Sequence, residues 1–245
     1  MQSVVTKEPV NQPLMSGRDR PISIIIPTLN EAETLPQTLR ALQNLPQVEV
    51  IVVDGGSLDD TVSIAVDWNV RVVCSAAGRA HQMNVGGAVA NGDILLFLHA
   101  DTVLPRQFDR LMRQTLTQPG VIAGAFKLAI DGHSPGLRLV EWGVNMRSRL
   151  CQMPYGDQAI YLPAITFRAI GGFPELPIME DFALMQRLRR RGRIAIVPDK
   201  VLTSGRRWQK LGVFHTTAVN QLIILGYLLG VSPTLLAHWY RSFGK

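Results

Sequence analysis

Ile22-Ser23-Ile24-Ile25-Ile26-Pro27-Thr28-Leu29-Asn30-Glu31 decides how the rest of the chain is read. A run rich in β-branched residues ends in Pro27 and a polar turn, the pattern of a buried strand whose carboxyl end carries chemistry. Moving outward, residues 32–45 read as a helix, 48–53 as a second strand and 61–69 as a second helix. Residues 70–74 continue the alternation, and a helix over 79–90 leads to a strand over 94–98. Residues 105–117 then read as helical and 121–130 as extended. Strands joined by crossover helices predict an α/β class, with a mostly parallel open sheet and helices on both faces. The 245 residues, 47% of them hydrophobic, suffice for one such domain and are short for two.

On the amino side, residues 1–20 are polar, carry Pro9, Pro13 and Gly17, and lack the apolar run of a secretory signal, so they are expected to form a disordered arm. The main domain is expected over 21–212. Its rhythm loosens past Asp131, with 137–150 helical, 159–162 extended, and 181–191 helical behind Gly171 and Gly172. Residues 213–245 are expected to add a C-terminal helical appendage. The apolar stretch 222–231 is about half the roughly 20 residues that a spanning helix needs. Leu222, Ile223, Leu225, Leu228 and Leu229 either pack on the domain or lie in a membrane interface, with Arg206, Arg207, Lys210 and Arg241 meeting anionic headgroups and Trp239 and Tyr240 at the far end.

The formal charge of +6 gathers at Arg187, Arg189, Arg190, Arg191 and Arg193 and again at Arg206, Arg207 and Lys210. Such local clusters suit the phosphates of a small substrate or lipid headgroups, and no nucleic-acid partner is expected. Cys74 and Cys151 are far apart and have no metal-type spacing, which points to a reducing, cytoplasmic setting.

Open α/β sheets bind ligands beyond the carboxyl ends of their strands. After the first strand, Asn30 and Glu31 are suited to a ribose or base, although Asn30 equally suits a helix cap. After the second, Asp54-Gly55-Gly56-Ser57 combines close backbone approach with a carboxylate that accepts hydrogen bonds from a base or sugar. Asp59 and Asp60 beyond it also suit a helix start. His99-Ala100-Asp101-Thr102 follows the strand over 94–98 and sets a hard oxygen ligand where a pyrophosphate and Mg2+ or Mn2+ would meet.

Together Ile24 to Glu31, Val52 to Ser57 with Asp59 and Thr61, and Phe97-Leu98-His99-Ala100-Asp101 resemble the motifs of the family 2 glycosyltransferases, with the likeness running over residues 22–208. The resemblance implies the GT-A fold and inverting, metal-assisted transfer from a nucleotide sugar, UDP in preference to GDP, to a hydroxyl acceptor. It implies that Pro27, Thr28, Asn30, Glu31, Asp54, Gly55, Gly56, Ser57, His99, Ala100 and Asp101 face the donor, with Asp101 on the cation. His99 stands where the family has its first metal-motif acid. Met179-Glu180-Asp181 resembles the family's Glu-Asp motif, which makes Asp181 the base and Glu180 its support, against a plain helix-start reading of both acids.

Ser204-Gly205-Arg206-Arg207-Trp208 stands where polymerising members carry Gln-x-x-Arg-Trp, and Ser204 in the Gln position argues against a processive polymerase. Arg206 and Arg207 suit a diphosphate clamp, and Trp208 falls on the acceptor side. Arg79 stands where the family often has a basic residue near the donor phosphates, or is a solvated residue at a helix start. His215 is either a C-terminal metal ligand or a surface residue opening a helix. Met153-Pro154-Tyr155-Gly156-Asp157-Gln158 resembles the acceptor loop of a small bacterial subgroup, in which Asp157 and Gln158 bind acceptor hydroxyls, or is a bland turn. An interfacial C-terminal segment would suit a lipid-linked acceptor; the oligomeric state stays open.

Other classes fit less well. A sugar-phosphate nucleotidyltransferase would open with a Gly-rich, basic loop, whereas residues 27–31 are acidic and glycine-free. No G-x-G-x-x-G follows the first strand for a nicotinamide dehydrogenase. A catalytically silent sugar-nucleotide or membrane-binding module has no need of Asp54, Asp101 and Asp181 together.

Overall fold

The computed structural model describes residues 20–243, so the arm expected over residues 1–20 lies, apart from Arg20, outside the described residues. The strands are β1 Ile22–Thr28, β2 Val48–Asp54, β3 Arg71–Cys74, β4 Ile94–Phe97, β5 Thr102–Val103, β6 Val121–Ile130, β7 Ile160–Pro163 and β8 Arg193–Thr203. The helices are α1 Leu35–Arg40, α2 Thr61–Asp67, α3 Arg79–Val89, α4 Phe108–Leu116, α5 Pro135–Cys151, α6 Ala164–Ala169, α7 Glu180–Arg189, α8 Arg206–Leu211, α9 Val213–Leu228 and α10 Pro233–Ser242.

All eight strands join one mostly parallel sheet in the order β3-β2-β1-β4-β7-β6-β8-β5. β1 runs parallel to β2 and β4, β2 to β3, and β6 to β8. β7 enters antiparallel between β4 and β6, and β5 caps the edge antiparallel to β8. Helices cover both faces, so strand residues of either parity are buried. Ile25, Val53 and Phe97 pack on one side with Met83 of α3 and Leu184 of α7. Ile24, Val52 and Leu96 pack on the other with Leu39 of α1 and Met112 of α4. Gly86 brings α3 onto the sheet: a Cβ there would lie 2.4 Å from the Ile25 Cγ2. Any side chain would push α3, and the polar residues it carries, away from the strand ends.

Several boundaries differ from the sequence reading. The helix expected over 32–45 shrinks to α1, with Pro36 in its first turn and Asn44 left-handed at φ +57. The helix expected from 105 starts only at Phe108, because Gln107 is left-handed at φ +59. β8 was not anticipated. Pro198 and Asp199 interrupt its alternation, and the ladder absorbs them by jumping from Phe126↔Val197 to Lys127↔Lys200. The C-terminal segment divides at Gly230 (φ +84), and α10 restarts after Ser232, whose hydroxyl accepts from the Leu235 N–H at 3.4 Å.

Candidate active site

The ends of β1 and β2 lie in register, Thr28 beside Asp54. The Gly55 N–H donates to the Thr28 carbonyl at 2.9 Å, and the buried Gln82 amide of α3 donates to the Thr28 and Val53 carbonyls at 2.8 Å each. The loops beyond are tied to each other. Asn30 (φ +56) accepts from the Leu58 N–H at 2.8 Å and its own N–H donates to the Ser57 hydroxyl at 2.9 Å, so it clamps the second loop instead of capping α1. Asp54 is buried and accepts from the Gly56 and Ser57 N–H groups at 2.8 and 2.9 Å and from the Ser57 hydroxyl at 2.5 Å. Burial works against its charge, but these bonds outweigh burial and hold its pKa below the usual range. The partner that an acid at this strand end requires is therefore its own turn, and the result is a rigid ledge of Pro27, Thr28, Asn30, Gly55, Gly56 and Ser57.

β4 ends at His99-Ala100-Asp101. Ala100 is buried, and its carbonyl accepts from the Thr38 hydroxyl at 2.7 Å. The pairing of β5 with β8 carries Ser204 to this corner, where its N–H donates to the Asp101 carbonyl at 3.1 Å. Arg206 follows, donating to Glu31 at 3.1 Å and to Asp101 at 3.5 Å. Burial first, and the Glu31 charge second, raise the Asp101 pKa against Arg206. Glu31 and Asp101 thus supply two hard oxygen donors with a shared deficit of positive charge, a donor set that fits Mg2+ or Mn2+. Among the described residues no third His, Cys, Asp or Glu joins them in a cluster. His215 does not: Gly212 (φ +85) turns the chain into α9 so that His215 faces solvent outside the cavity wall.

Asp181 starts α7 after the left-handed Met179 (φ +69). Its Oδ2 accepts from the Gly156 N–H at 2.8 Å and its Oδ1 from the Phe182 N–H at 2.7 Å. The His99 imidazole lies against the same spot: a Cβ on Gly156 would come within 2.8 Å of His99 Nε2 and 3.3 Å of Asp181 Oδ2. Burial, helped by the Arg79 charge, drives the His99 pKa down to about 4, so His99 is neutral and is no substitute for an acid. Glu180 is 1% exposed and pairs with Arg79. Burial and the Asp181 charge raise the Glu180 pKa while Arg79 opposes them. Arg79 is thereby engaged by a carboxylate of the site, and it lines the same cavity as Asp101.

These acids line a cavity of about 1030 Å³ that α5, α8, α9 and α10 close from the other side. Asp157 lines it, with burial raising its pKa to about 6 against the pull of Arg147. Gln158 does not. It is fully buried, accepts from the Ser148 hydroxyl at 2.6 Å and donates to the Phe126 carbonyl at 2.9 Å, so its amide is used up inside the fold. Trp208 lines the cavity, whereas Arg207 parts from Arg206 and stacks on Tyr240 at 3.8 Å. Sequence reasoning missed Arg147, which stacks on Tyr155 at 3.5 Å, and the ledge residue Gln82. A lone Arg or Gln in a helix gives no local signal of such a role.

Several known proteins resemble this chain. The PGL/p-HBAD biosynthesis glycosyltransferase of Mycobacterium bovis (strain BCG / Pasteur 1173P2) is 41% identical over 91 residues, 34% of this chain and 36% of that protein. The 4,4'-diaponeurosporenoate glycosyltransferase of Staphylococcus haemolyticus is 35% identical over 92 residues, 34% of this chain and 24% of that one. The chain thus spans about a third or less of the length of these relatives. Among solved structures, S. aureus TarS 1-349 in complex with UDP-GlcNAc superposes with a TM-score of 0.61 at 19% identity, over 75% of this chain and 58% of that one. The Mycobacterium tuberculosis glucosyl-3-phosphoglycerate synthase with Mn2+, UDP and glucosyl-3-phosphoglycerate gives 0.61 at 22% identity, over 84% of each chain. These likenesses establish the shared GT-A fold. The sequence model of Glycosyl transferase family 2 matches residues 23–164, more than half of the chain, and the chain belongs to that family.

Proposed function

We propose that the protein is an inverting glycosyltransferase that moves a sugar from a nucleotide sugar, UDP in preference to GDP, onto a hydroxyl acceptor. The observation that carries this reading is Asp181, whose carboxylate is pinned by the Gly156 N–H and opens onto the same cavity as Asp101. The ledge of Thr28, Asn30, Gly56 and Ser57 holds the nucleotide, and Asp101 with Glu31 would hold Mg2+ or Mn2+. A bound cation supplies positive charge against which the diphosphate departs. The acceptor oxygen forms a bond to the anomeric carbon as the bond from that carbon to the diphosphate oxygen breaks, and the electron pair leaves with the diphosphate. Asp181 takes the acceptor proton, Gly156 fixes the carboxylate, and Glu180 with Arg79 sets the start of α7.

Titration calorimetry with UDP, GDP and their sugar conjugates, in Mn2+ and then in EDTA, tests the reading. One nucleotide is expected to bind the wild type with Mn2+ and to bind Asp101→Ala at least about tenfold more weakly, the worth of one charged contact. Failure of every nucleotide to bind the wild type would overturn it.

The reading includes peripheral contact with the cytoplasmic face of an anionic membrane, and with it a lipid-linked acceptor. Its support is an apolar face that the domain leaves open. α5 exposes Leu139, Trp142, Met146 and Leu150, and α9 exposes Phe214, Leu222 and Leu225, with Leu229 exposed at its C-terminal cap. Gly136 of α5 meets Val213 of α9, a Cβ there lying 3.2 Å from the Val213 side chain, so the two stripes start side by side. Residues 200–245 contain no Asp or Glu, and they carry Arg206, Arg207, Lys210 and Arg241. Apolar stripes with basic flanks are what an interfacial helix uses. Among the described residues no helix is long and apolar enough to cross a membrane. In vesicle flotation the wild type is expected to bind phosphatidylglycerol vesicles in preference to phosphatidylcholine, with Leu225→Ser/Leu229→Ser bound at most a third as well. Equal flotation of the two proteins would rule the surface out.

A further inference from the structure

The residues around the cavity carry more hydrogen-bond donors than the fold satisfies. Arg147 Nη2, Arg207 Nε, Trp208 Nε1, Thr217 Oγ1 and Asp157 Oδ1 are all buried without a partner, and every one of these residues lines the cavity. Native interiors seldom leave such atoms unpaired, and here five of them belong to residues around one cavity. Three of the five atoms are N–H groups that only donate.

The two guanidinium groups are also fixed in place. Arg147 lies over Tyr155 at 3.5 Å and sends its Nε to the Met153 carbonyl at 3.2 Å; Arg207 lies over Tyr240 at 3.8 Å. Stacking sets the plane of each fork and leaves N–H edges unused. Among the described residues neither one has a carboxylate partner, whereas Arg79 is bound to Glu180, and Arg206 to Glu31 and Asp101. Lys210 and Arg241 line the same side. Of the ledge residues Thr28, Asn30, Asp54 and Ser57, none does. Asp157 lines the same cavity and feels the Arg147 charge.

Resting on the glycosyltransferase reading, we propose that the acceptor carries an anionic group, a phosphate or a carboxylate, beside its reacting hydroxyl. Arg147 and Arg207 hold this group through their free N–H edges, with the Trp208 indole N–H as a third donor. The anion takes no part in bond making; it turns the neighbouring hydroxyl toward Asp181. Asp157 accepts from a further hydroxyl of the same molecule.

The test is calorimetry on the full chain saturated with UDP and Mn2+. The probes are glycerol 3-phosphate, glycerol, and dihexanoyl-phosphatidylglycerol below its micelle concentration. Glycerol 3-phosphate is expected to bind at least about tenfold more tightly than glycerol, and Arg207→Gln and Arg147→Gln are each expected to remove about tenfold of that binding. Two variants on different helices, each checked for an unchanged Tm, separate the site from misfolding. UDP affinity, measured in the same samples, is expected to stay at the wild-type value. If dihexanoyl-phosphatidylglycerol binds more tightly than glycerol 3-phosphate and shows the same dependence on both arginines, the anion is borne by a lipid; the reverse order assigns a soluble acceptor. Equal binding of glycerol and both phosphates overturns the proposal. So does loss of UDP affinity in Arg207→Gln, which would return this arginine to the donor. Failure of the wild type to bind UDP would instead strike the underlying reading, and is seen before any acceptor probe is added.

Discussion

Asp181→Asn is expected to lower kcat by about 10³-fold, within the range for loss of a general base, while UDP affinity stays at the wild-type value. The two parts of this expectation have separate structural origins. Asn has nearly the shape of Asp, and its single carbonyl oxygen can still accept one of the two N–H groups, from Gly156 at 2.8 Å or from Phe182 at 2.7 Å, that fix the carboxylate. What Asn lacks is a site for the acceptor proton. The nucleotide ledge is built on β1 and β2 and shares no hydrogen bond with Asp181, so donor binding has no reason to change. The other groups nearby are poor replacements. His99 is neutral but held at a pKa near 4, and the Asp157 carboxyl titrates near 6 beside Arg147. Steady-state kinetics with calorimetry on the same preparation decides the matter. A kcat within tenfold of wild type would place the base elsewhere, with Asp157 the next candidate. Loss of UDP binding along with kcat would make Asp181 a structural residue.

Arg79→Ala is expected to destabilise the fold by about 3 kcal/mol, or roughly 6–12 °C in Tm for a chain of this size. Glu180 is 1% exposed, and among the described residues its charge is matched by Arg79 alone. Breaking a buried pair strands a charge, at a cost of about 3–5 kcal/mol. The lower end applies because the Arg79 side chain is 44% exposed and part of the attraction is screened by solvent. In the pair Arg79→Ala/Glu180→Gln most of the loss is expected to return, since a neutral amide needs no counter-charge. The pH dependence follows in sign. The Glu180 pKa is already raised by burial and by Asp181, and removing Arg79 raises it further. The gap in Tm between wild type and variant therefore narrows as pH falls and Glu180 takes up its proton in both proteins. Scanning calorimetry from neutral pH downward measures this. A gap below 2 °C at neutral pH would show that the pair contributes little, and that α7 is held by Phe182, Leu184 and Met185 in the core.

The α/β class, the strand ends and the acidic residues at them were legible in the sequence because each rests on a local pattern. Ile22, Ile24, Ile25 and Ile26 form a β-branched run that is fully buried once helices cover both faces, and the turn that follows such a run is polar wherever it comes to lie. The same locality explains the boundary errors at α1 and α4, where Asn44 and Gln107 adopt left-handed conformations for which neither residue type gives a clear signal. β8 was illegible for the opposite reason. Its Pro198 and Asp199 break the period of two, and only the neighbouring β6 shows that a strand with a bulge satisfies both edges.

The sequence by itself therefore determined the fold class and the family, and it singled out four acids that line the cavity: Asp101, Asp157, Glu180 and Asp181. These depend on residue type and spacing, which survive without knowledge of any distant contact. Only the tertiary structure decided what each side chain is for. Gln158 is used up by internal partners, Arg79 is paired with Glu180, and Asp54 locks its own turn. His215 was left in solvent, Arg206 went to Glu31 and Asp101 while Arg207 went to Tyr240, and Arg147 and Gln82 took places that the sequence did not announce. The reason is that hydrogen-bond saturation is a property of the packed neighbourhood. Arg79 meets Glu180 across 101 positions and Arg206 meets Glu31 across 175, and separations of that length leave no trace in local pattern.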